Sequence, residues 1–385
     1  MYPNLYYAFK DLFGIDWKPL RFINSFGFFV ALSFILAAVV LVAELKRKGK
    51  EGLLHPTEIN VMVGKPATAA ELFLNFLLGF VLGYKILALF IMNSSVTDDP
   101  QAFIFSGLGS WPAGIVLGLV FAGVKWWEKN KQKLPKPELR KIRFWPHDRV
   151  GEITIIALIF GLLGAKLFDI FENWSDFLDK PSSYIFSPAG LTFYGGLICA
   201  ALAIWFYAKK HRIGFWHLND AAAPALMLAY AVGRIGCQVA GDGDWGITNT
   251  HPKPFNWLPD WVWAYNYPHN VNDVGNPIPG CLGKYCNQLA QPVYPTPFYE
   301  TIICLILFLI LWSLRKKLKI PGTLFAIYLM LNGIERFLIE KIRVNNRMNL
   351  LGLHPTQAEV ISALLFLSGL AIFLIRKRNS TVAKL

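Results

Sequence analysis

Residues 23–50 read INSFGFFVALSFILAAVVLVAELKRKGK, an apolar run over 23–44 that stops at Lys46, Arg47, Lys48 and Lys50. As a helix, a run of that length crosses a hydrocarbon core ~30 Å thick. The same unit recurs outward from it. Apolar runs fall near 71–93, 108–127, 150–172, 191–208, 217–240, 297–314, 321–343 and 355–375. Together they predict an all-α fold, a polytopic transmembrane helical bundle of about nine spans. Composition agrees: 54% of the 385 residues are hydrophobic and 16% are charged, against ~25% charged in soluble domains. A soluble fold of this size has no means of hiding so much apolar surface.

The net charge of +13 raises nucleic acid as a partner, and its placement argues against one. The cations sit in short segments between apolar runs, as in loops facing an anionic leaflet. Basic clusters follow the first run, the third (Lys125, Lys129, Lys131, Lys133, Lys136, Arg140, Lys141, Arg143), the fifth (Lys209, Lys210, Arg212), the seventh (Arg315, Lys316, Lys317, Lys319) and the last (Arg376, Lys377, Arg378, Lys384). Between them, 94–107 has no Lys or Arg, the loop after the fourth run has Lys180, and 241–296 has Lys253 and Lys284. This alternation predicts an N-terminus outside and a C-terminus in the cytoplasm. Lys341, Arg343 and Arg347, after the eighth run, break it.

The first residues lack the basic start and short apolar core of a cleavable signal peptide. Tyr2, Tyr6, Tyr7, Phe9, Phe13 and Trp17 alternate with Lys10, Asp11, Asp16 and Lys18, which predicts an arm along the membrane interface. The Pro-interrupted segment Lys129–Arg143 reads as a solvated linker. The outer loop 241–296, with Trp257, Trp261, Trp263, Tyr265 and Tyr267, reads as an ordered cap. The five cysteines read as unrelated thiols or, where this loop faces an oxidising compartment, with Cys281 and Cys286 paired as a disulfide.

Ionisable residues inside apolar runs are costly and mark functional sites. The densest group is Gly233-Arg234-Ile235-Gly236-Cys237-Gln238-Val239-Ala240-Gly241-Asp242-Gly243-Asp244-Trp245-Gly246. A guanidinium fixed at that depth suits a phosphate, which it grips with two parallel hydrogen bonds; the bland alternative is an Arg234 that reaches out to Asp242 or Asp244. A second group is Asn332-Gly333-Ile334-Glu335-Arg336, with Glu340 four residues on from Arg336 on the same helix face. A third is Tyr194-Gly195-Gly196, whose glycines allow close approach of a helix or head group. Lys85, Lys166 and Asp169 also lie within runs, as ion partners or as the ion path of a secondary transporter.

In order and spacing these pieces resemble the prolipoprotein diacylglyceryl transferases, bacterial inner-membrane enzymes. The family's Gly-Arg-x-Gly-Asn-Phe start and Glu-x-x-Gly end match Gly233-Arg234-Ile235-Gly236 and Trp245-Gly246. Cys237 and Gln238 stand for the Asn and Phe, and Asp242 or Asp244 for the Glu. The His-Gly-Gly step is similar to Tyr194-Gly195-Gly196, with Tyr for His. Pro-x-Gln-Leu-Tyr-Glu resembles Pro297-Phe298-Tyr299-Glu300 and the residues before it. Phe-Arg-x3-Glu-x2-Arg resembles Arg336, Glu340 and Arg343. Phe26 and Asn332 stand where the family has Tyr. The resemblance divides the chain into 1–44, an arm and first span; 45–149, an inserted helical pair with basic cytoplasmic linkers; and 150–385, the transferase-like core.

The resemblance implies transfer of the diacylglyceryl group from phosphatidylglycerol to the lipobox cysteine thiol of a preprolipoprotein, with glycerol phosphate leaving and a thioether formed. It implies a multi-pass protein of the bacterial inner membrane, with no metal or other cofactor. Arg234 and Arg336 would hold the lipid phosphate, and Glu340 would orient Arg336. Tyr194, Asp242 or Asp244 would take the thiol proton. Gly195, Gly196, Gly246, Tyr299 and Glu300 would bind the head group. The alternative is a catalytically altered homologue that binds phospholipid or uses another acceptor.

Overall fold

The computed structural model describes residues 1–91, 103, 106–185, 190, 192–345, 348–349 and 354–382. Most of the cation-free stretch 94–107, together with Leu191, Arg347 and Lys384, lies outside them.

The chain is an all-α polytopic helical protein. Helix α1 (Leu5–Phe13) starts at Asn4, whose side chain accepts the Tyr7 N–H. Helix α2 (Ser25–Lys50) follows, then strand β1 (Thr57–Val63). Helix α3 (Ala69–Val81) opens on a Thr68/Glu71 capping box and runs on through a π-turn, Leu82–Leu87. Next come α4 (Trp111–Lys131), β2 (Glu138–Phe144), α5 (Val150–Glu172), α6 (Phe193–Lys210) and α7 (Phe215–Ala240). After the outer loop come α8 (Thr296–Leu314), α9 (Thr323–Glu340) and α10 (Gln357–Val382). Among the described residues, six helical segments are long and apolar enough to cross a membrane: Ser25–Lys50, Ala69–Leu87, Pro146–Glu172, Phe215–Ala240, Thr296–Leu314 and Gln357–Asn379. Helices α4, α6 and α9 occupy the other expected runs with a less apolar composition; α9 carries Glu335, Arg336 and Glu340.

Two apolar centres hold the bundle. Leu41, Leu45, Val150, Ile153, Ala208 and Leu218 join α2, α5, α6 and α7. Met227, Cys304, Leu311 and Leu324 join α7, α8 and α9. Helices α3 and α4 pair through glycines: a Cβ at Gly79 would meet the Leu117 carbonyl oxygen at 2.6 Å, and one at Gly83 that of Ala113 at 2.3 Å. Small residues bring backbones that close inside a membrane. Lys85 is spent between these two helices, where Nζ donates to the carbonyls of Phe103, Ser106 and Leu108 at 3.1, 2.5 and 2.7 Å. Lys166 pairs with Asp169 at 3.5 Å.

The segment read as a solvated linker is ordered over 138–144. It pairs antiparallel with β1, from Thr57↔Phe144 to Val63↔Glu138. β-Branched Thr57, Ile59, Val61 and Val63 favour the strand, and Arg143 crosses to Glu58 at 3.1 Å. The partner strand lies about 80 residues away in sequence, out of reach of any local pattern.

The N-terminal arm meets the end of α7 and the loop 241–296. The Met1 ammonium donates to the Pro268 carbonyl (2.7 Å) and the Tyr2 N–H to that of Val239 (2.8 Å). Within the loop, fully buried Asn270 donates to the carbonyls of Tyr267, Val274 and Asn287. Cys281 and Cys286 form a disulfide, the second of the two readings of the cysteines. Trp257 stays 77% exposed, while Tyr267 is fully buried against Trp245 and Tyr265.

Candidate active site

Helix α7 ends at Ala240 because Gly241 takes a left-handed φ of 64° and returns its N–H to the Cys237 carbonyl, a conformation that costs glycine little. The chain then doubles back and lays Asp244 on Arg234, with which it forms an ion pair. The Arg234 Nε reaches Glu300 Oε2 at 3.0 Å, and its guanidinium lies over the Tyr230 ring. Arg336, on α9, bridges Glu300 Oε1 and Glu340 Oε2, each at 3.1 Å. Arg343, three residues beyond the end of α9, contacts Asp244 Oδ1 at 2.5 Å and Glu300 Oε2 at 3.6 Å. Fully buried Glu300 is therefore the hub of three guanidiniums, and it also accepts the Tyr230 hydroxyl at 2.9 Å. The carboxylate pairing is the reading that the contacts show: Arg234 pairs with Asp244 and Arg336 with Glu340, each on its own segment, and both meet at Glu300.

The cluster holds unspent hydrogen-bonding capacity. Glu300 Oε2, Glu340 Oε2, and Arg343 Nε and Nη1 are buried without a hydrogen-bond partner, as are both oxygens of Glu335, which is 3% exposed. Three arginines face Asp244, Glu300 and Glu340 in ion pairs. An anion with several oxygens could add to or replace these carboxylates with little loss, since guanidiniums grip such oxygens bidentately.

The two aspartates differ. Burial pushes the Asp242 carboxyl up, the Asp244 charge adds to that, and Oδ1 accepts the Asp244 N–H at 3.3 Å. Burial acts on Asp244 the same way, but Arg234 and Arg343 outweigh it and hold that carboxyl below the usual range. One ligand atom each of Cys237, Asp242 and Asp244 lies within 4.8 Å of the others. Asp244 gives both oxygens to arginines, so these residues do not form a convincing cation site.

Tyr194, at the start of α6, is half-buried and within electrostatic reach of Arg336, Glu340 and Arg343. The room beside Gly195 and Gly196 is filled by α5: added Cβ atoms would meet Phe168 Cβ at 2.3 Å and the Gly161 carbonyl oxygen at 2.7 Å. A Cβ on Gly246 would meet the Ile342 carbonyl oxygen at 2.4 Å, where the Ile247 N–H bonds that same carbonyl. Gly246 thus lets the outer loop lie against the exit of α9 and carry Arg343 inward. The Tyr299 hydroxyl donates to the Val262 carbonyl (2.8 Å), tying α8 to the loop. Two members of the site had no role assigned from the sequence, although Arg343 was matched to a family motif. Arg343 sits seven residues after Arg336 and three after Glu340, a helical spacing that signals one face. The Thr296 hydroxyl holds the Asp244 carbonyl at 2.6 Å and leaves no sequence signal.

Comparison with known proteins fits this geometry. Over 294 residues the chain is 29% identical to a phosphatidylglycerol–prolipoprotein diacylglyceryl transferase of Dehalococcoides mccartyi, covering 74% of this chain and 96% of that one. A relative of the same description from Clostridium tetani is 27% identical over 276 residues, 71% of this chain and 96% of that one. A third, from Leptospira interrogans, is 30% identical over 237 residues, 55% and 66% of the two chains. The family profile described as prolipoprotein diacylglyceryl transferase matches residues 110–375, a span that includes Arg234, Glu300, Arg336 and Arg343, and the chain belongs to that family.

Proposed function

We propose that this family member moves the diacylglyceryl group of phosphatidylglycerol to a cysteine thiol of a prolipoprotein, with Arg234, Arg336 and Arg343 as the phosphate-binding group. The observation that carries the assignment of residues is the convergence of three guanidiniums from separate segments on Glu300. In the reaction the thiol sulfur forms a bond to the glyceryl carbon, and the bond from that carbon to the phosphate oxygen breaks. Glycerol phosphate leaves with the electron pair, and the thiol proton passes to a base. The arginines offset the charge gathering on the leaving oxygen, in a buried site where such contacts count for more than in water.

A thiol has an ordinary pKa near ~8.5 and must lose its proton to attack. Asp242 is our choice of base: it is in no ion pair among the described residues, and its raised carboxyl is a better proton acceptor than that of Asp244. Tyr194 is the second candidate, on the strength of its position near Arg336 and Arg343. Glu300 and Glu340 orient the arginines. Lys85, satisfied by three carbonyls, does not suit the ion path of a transporter.

We read α2 through α10 as nine spans in a bacterial inner membrane, the N-terminal arm and loop 241–296 outside. The cations that break the charge alternation after α9 are largely neutralised in place. Lys341 pairs with Glu359 and Arg343 turns in to Asp244.

The test is a detergent assay with phosphatidylglycerol labelled in the glycerol backbone of its diacylglyceryl part and a lipobox peptide carrying Cys or Ser. Label moving to the Cys peptide alone is the expected result. No transfer by folded protein that binds the lipid would favour a homologue that binds phospholipid or uses another acceptor.

A further inference from the structure

Resting on the transferase reading above, we propose that a groove beside the arginine site takes the acceptor polypeptide as an added strand. The groove encloses about 330 Å³ and is lined by Trp245, Gly246, Thr248, Leu289, Val293 and Val344, among others. Its walls are continuous with the site. Trp245 follows Asp244 and Val344 follows Arg343, and those two neighbours touch at 2.5 Å. Whatever lies in the groove is one residue from an arginine of the phosphate-binding group.

The backbone around it is a small sheet with an open edge. Val293 uses its N–H and C=O on Tyr265, both at 3.0 Å. On the other side of Val293, hydrogen bonds from Asn249 to Pro292 (2.8 Å) and from Tyr294 to Ile247 (3.1 Å) flank the Thr248↔Val293 bridge. That is the non-hydrogen-bonded kind of antiparallel pair, which turns the N–H and C=O of Thr248 away from Val293. Among the described residues neither group has a hydrogen-bond partner. Thr248 is exposed.

An open edge beside an apolar groove is the arrangement that binds extended peptides: the main chain supplies affinity and alternate side chains enter the groove. The lining of Trp, Leu, Val and Gly accepts small or apolar side chains and offers no ion partner. Thr248 and Asp244 are four residues apart, at most about 13 Å of extended chain. A peptide residue paired with Thr248 therefore sets a cysteine about four residues away beside Arg343, where the arginine-held phosphate would leave. The occupant is thus the stretch of acceptor flanking its reactive cysteine, extended, with small or apolar side chains on the groove face.

The experiment uses the full chain in detergent, labelled phosphatidylglycerol, and a cysteine peptide with a photoreactive residue four positions from the cysteine. Crosslinks should map to 245–248, to 289–293 or to Val344. Ala290→Trp and Val344→Trp, both uncharged changes on exposed residues, should each raise the KM for peptide at least tenfold, leaving kcat and phosphatidylglycerol binding within twofold. Crosslinks elsewhere with unchanged KM, in protein that still transfers label, would overturn the groove and leave the transferase reading standing. A wild-type chain that moves no label to any cysteine peptide would overturn both.

Discussion

The two ends of α7 bury charge in opposite ways. Near its start, Asp220 accepts the Gly322 N–H at 2.8 Å and the Phe325 N–H at 3.0 Å, so it caps the first turn of α9 from a neighbouring helix. Lys48 stands 3.8 Å from it, and close by Glu44 is gripped by Arg47 and Arg315. Both oxygens of Asp220 and Glu44, and the Arg47 guanidinium, are hydrogen-bonded here, while Arg315 Nε and His217 Nδ1 are buried without a partner. At the far end, Arg234 opens a cluster in which Glu300, Glu340 and Arg343 all keep unpaired atoms. The first arrangement is complete as a joint between helices. The second is complete in charge but not in hydrogen bonds, which suits a place where a ligand must displace or join what is there. Buried groups left unsatisfied cost about 1–3 kcal/mol each, so the far end, with more such atoms, bears more of that cost than the near end.

Substitution should separate the ends. Arg234→Ala and Arg336→Ala should each lower transfer by roughly 10²–10³-fold, the loss typical of removing one fixed donor from a developing charge. Glu300 keeps two arginines in either variant and Asp244 keeps Arg343 in Arg234→Ala, whereas Arg336→Ala leaves buried Glu340 without its ion partner, so the thermal unfolding midpoint should fall more in Arg336→Ala than in Arg234→Ala. Near-normal initial rates from either variant would break the assignment. Asp220→Asn at the other end should do the reverse. It should reduce stability by about 1–3 kcal/mol through the weakened cap, while transfer per folded molecule stays near wild type. A large loss of rate there, at unchanged stability, would mean that the ends are coupled.

The contrast also shows what a linear sequence reveals. The apolar runs set the helices, because crossing a membrane requires an unbroken length of side chains that any reader can count. The Arg336–Glu340 pair was legible because four residues on a helix make one face. The meeting of Arg234 with Asp244 was legible because only a glycine turn separates them. Glu300 was visible only as part of a motif, and its place as the hub depends on α7, α8 and α9 packing together. The β1–β2 ribbon was hidden for the same reason, since its strands are separated by the whole α3–α4 pair.

Glu335 sharpens the comparison at a smaller scale. It lies within electrostatic reach of Glu300 and of all three arginines, yet makes no hydrogen bond. Glu335→Leu should remove an unsatisfied buried group and raise stability by about 1–3 kcal/mol. If Glu335 serves only to tune the cluster, transfer should fall no more than severalfold. Loss of all transfer in a stabilised variant would place Glu335 among the reacting groups.

The smallest expected effect is with pH, and its sign differs between the two aspartates. Asp244, held low by Arg234 and Arg343 against its burial, contributes stability that is present above the unfolded value of ~3.9. That contribution is lost as pH falls through the lower folded value. Asp242, pushed up by burial and by Asp244, behaves oppositely: its contribution is full below ~3.9 and is lost as pH rises through its raised folded value. If Asp242 is the base, transfer must rise with pH in that same window, because only the carboxylate accepts the thiol proton. Activity would then increase where this group's contribution to stability declines. Asp242→Asn should flatten both trends together, read from a rate profile and a denaturation series over the same pH points. A rate profile that keeps its acid limb in Asp242→Asn but loses activity in Tyr194→Phe would transfer the proton-accepting role to Tyr194, while the arginines kept theirs.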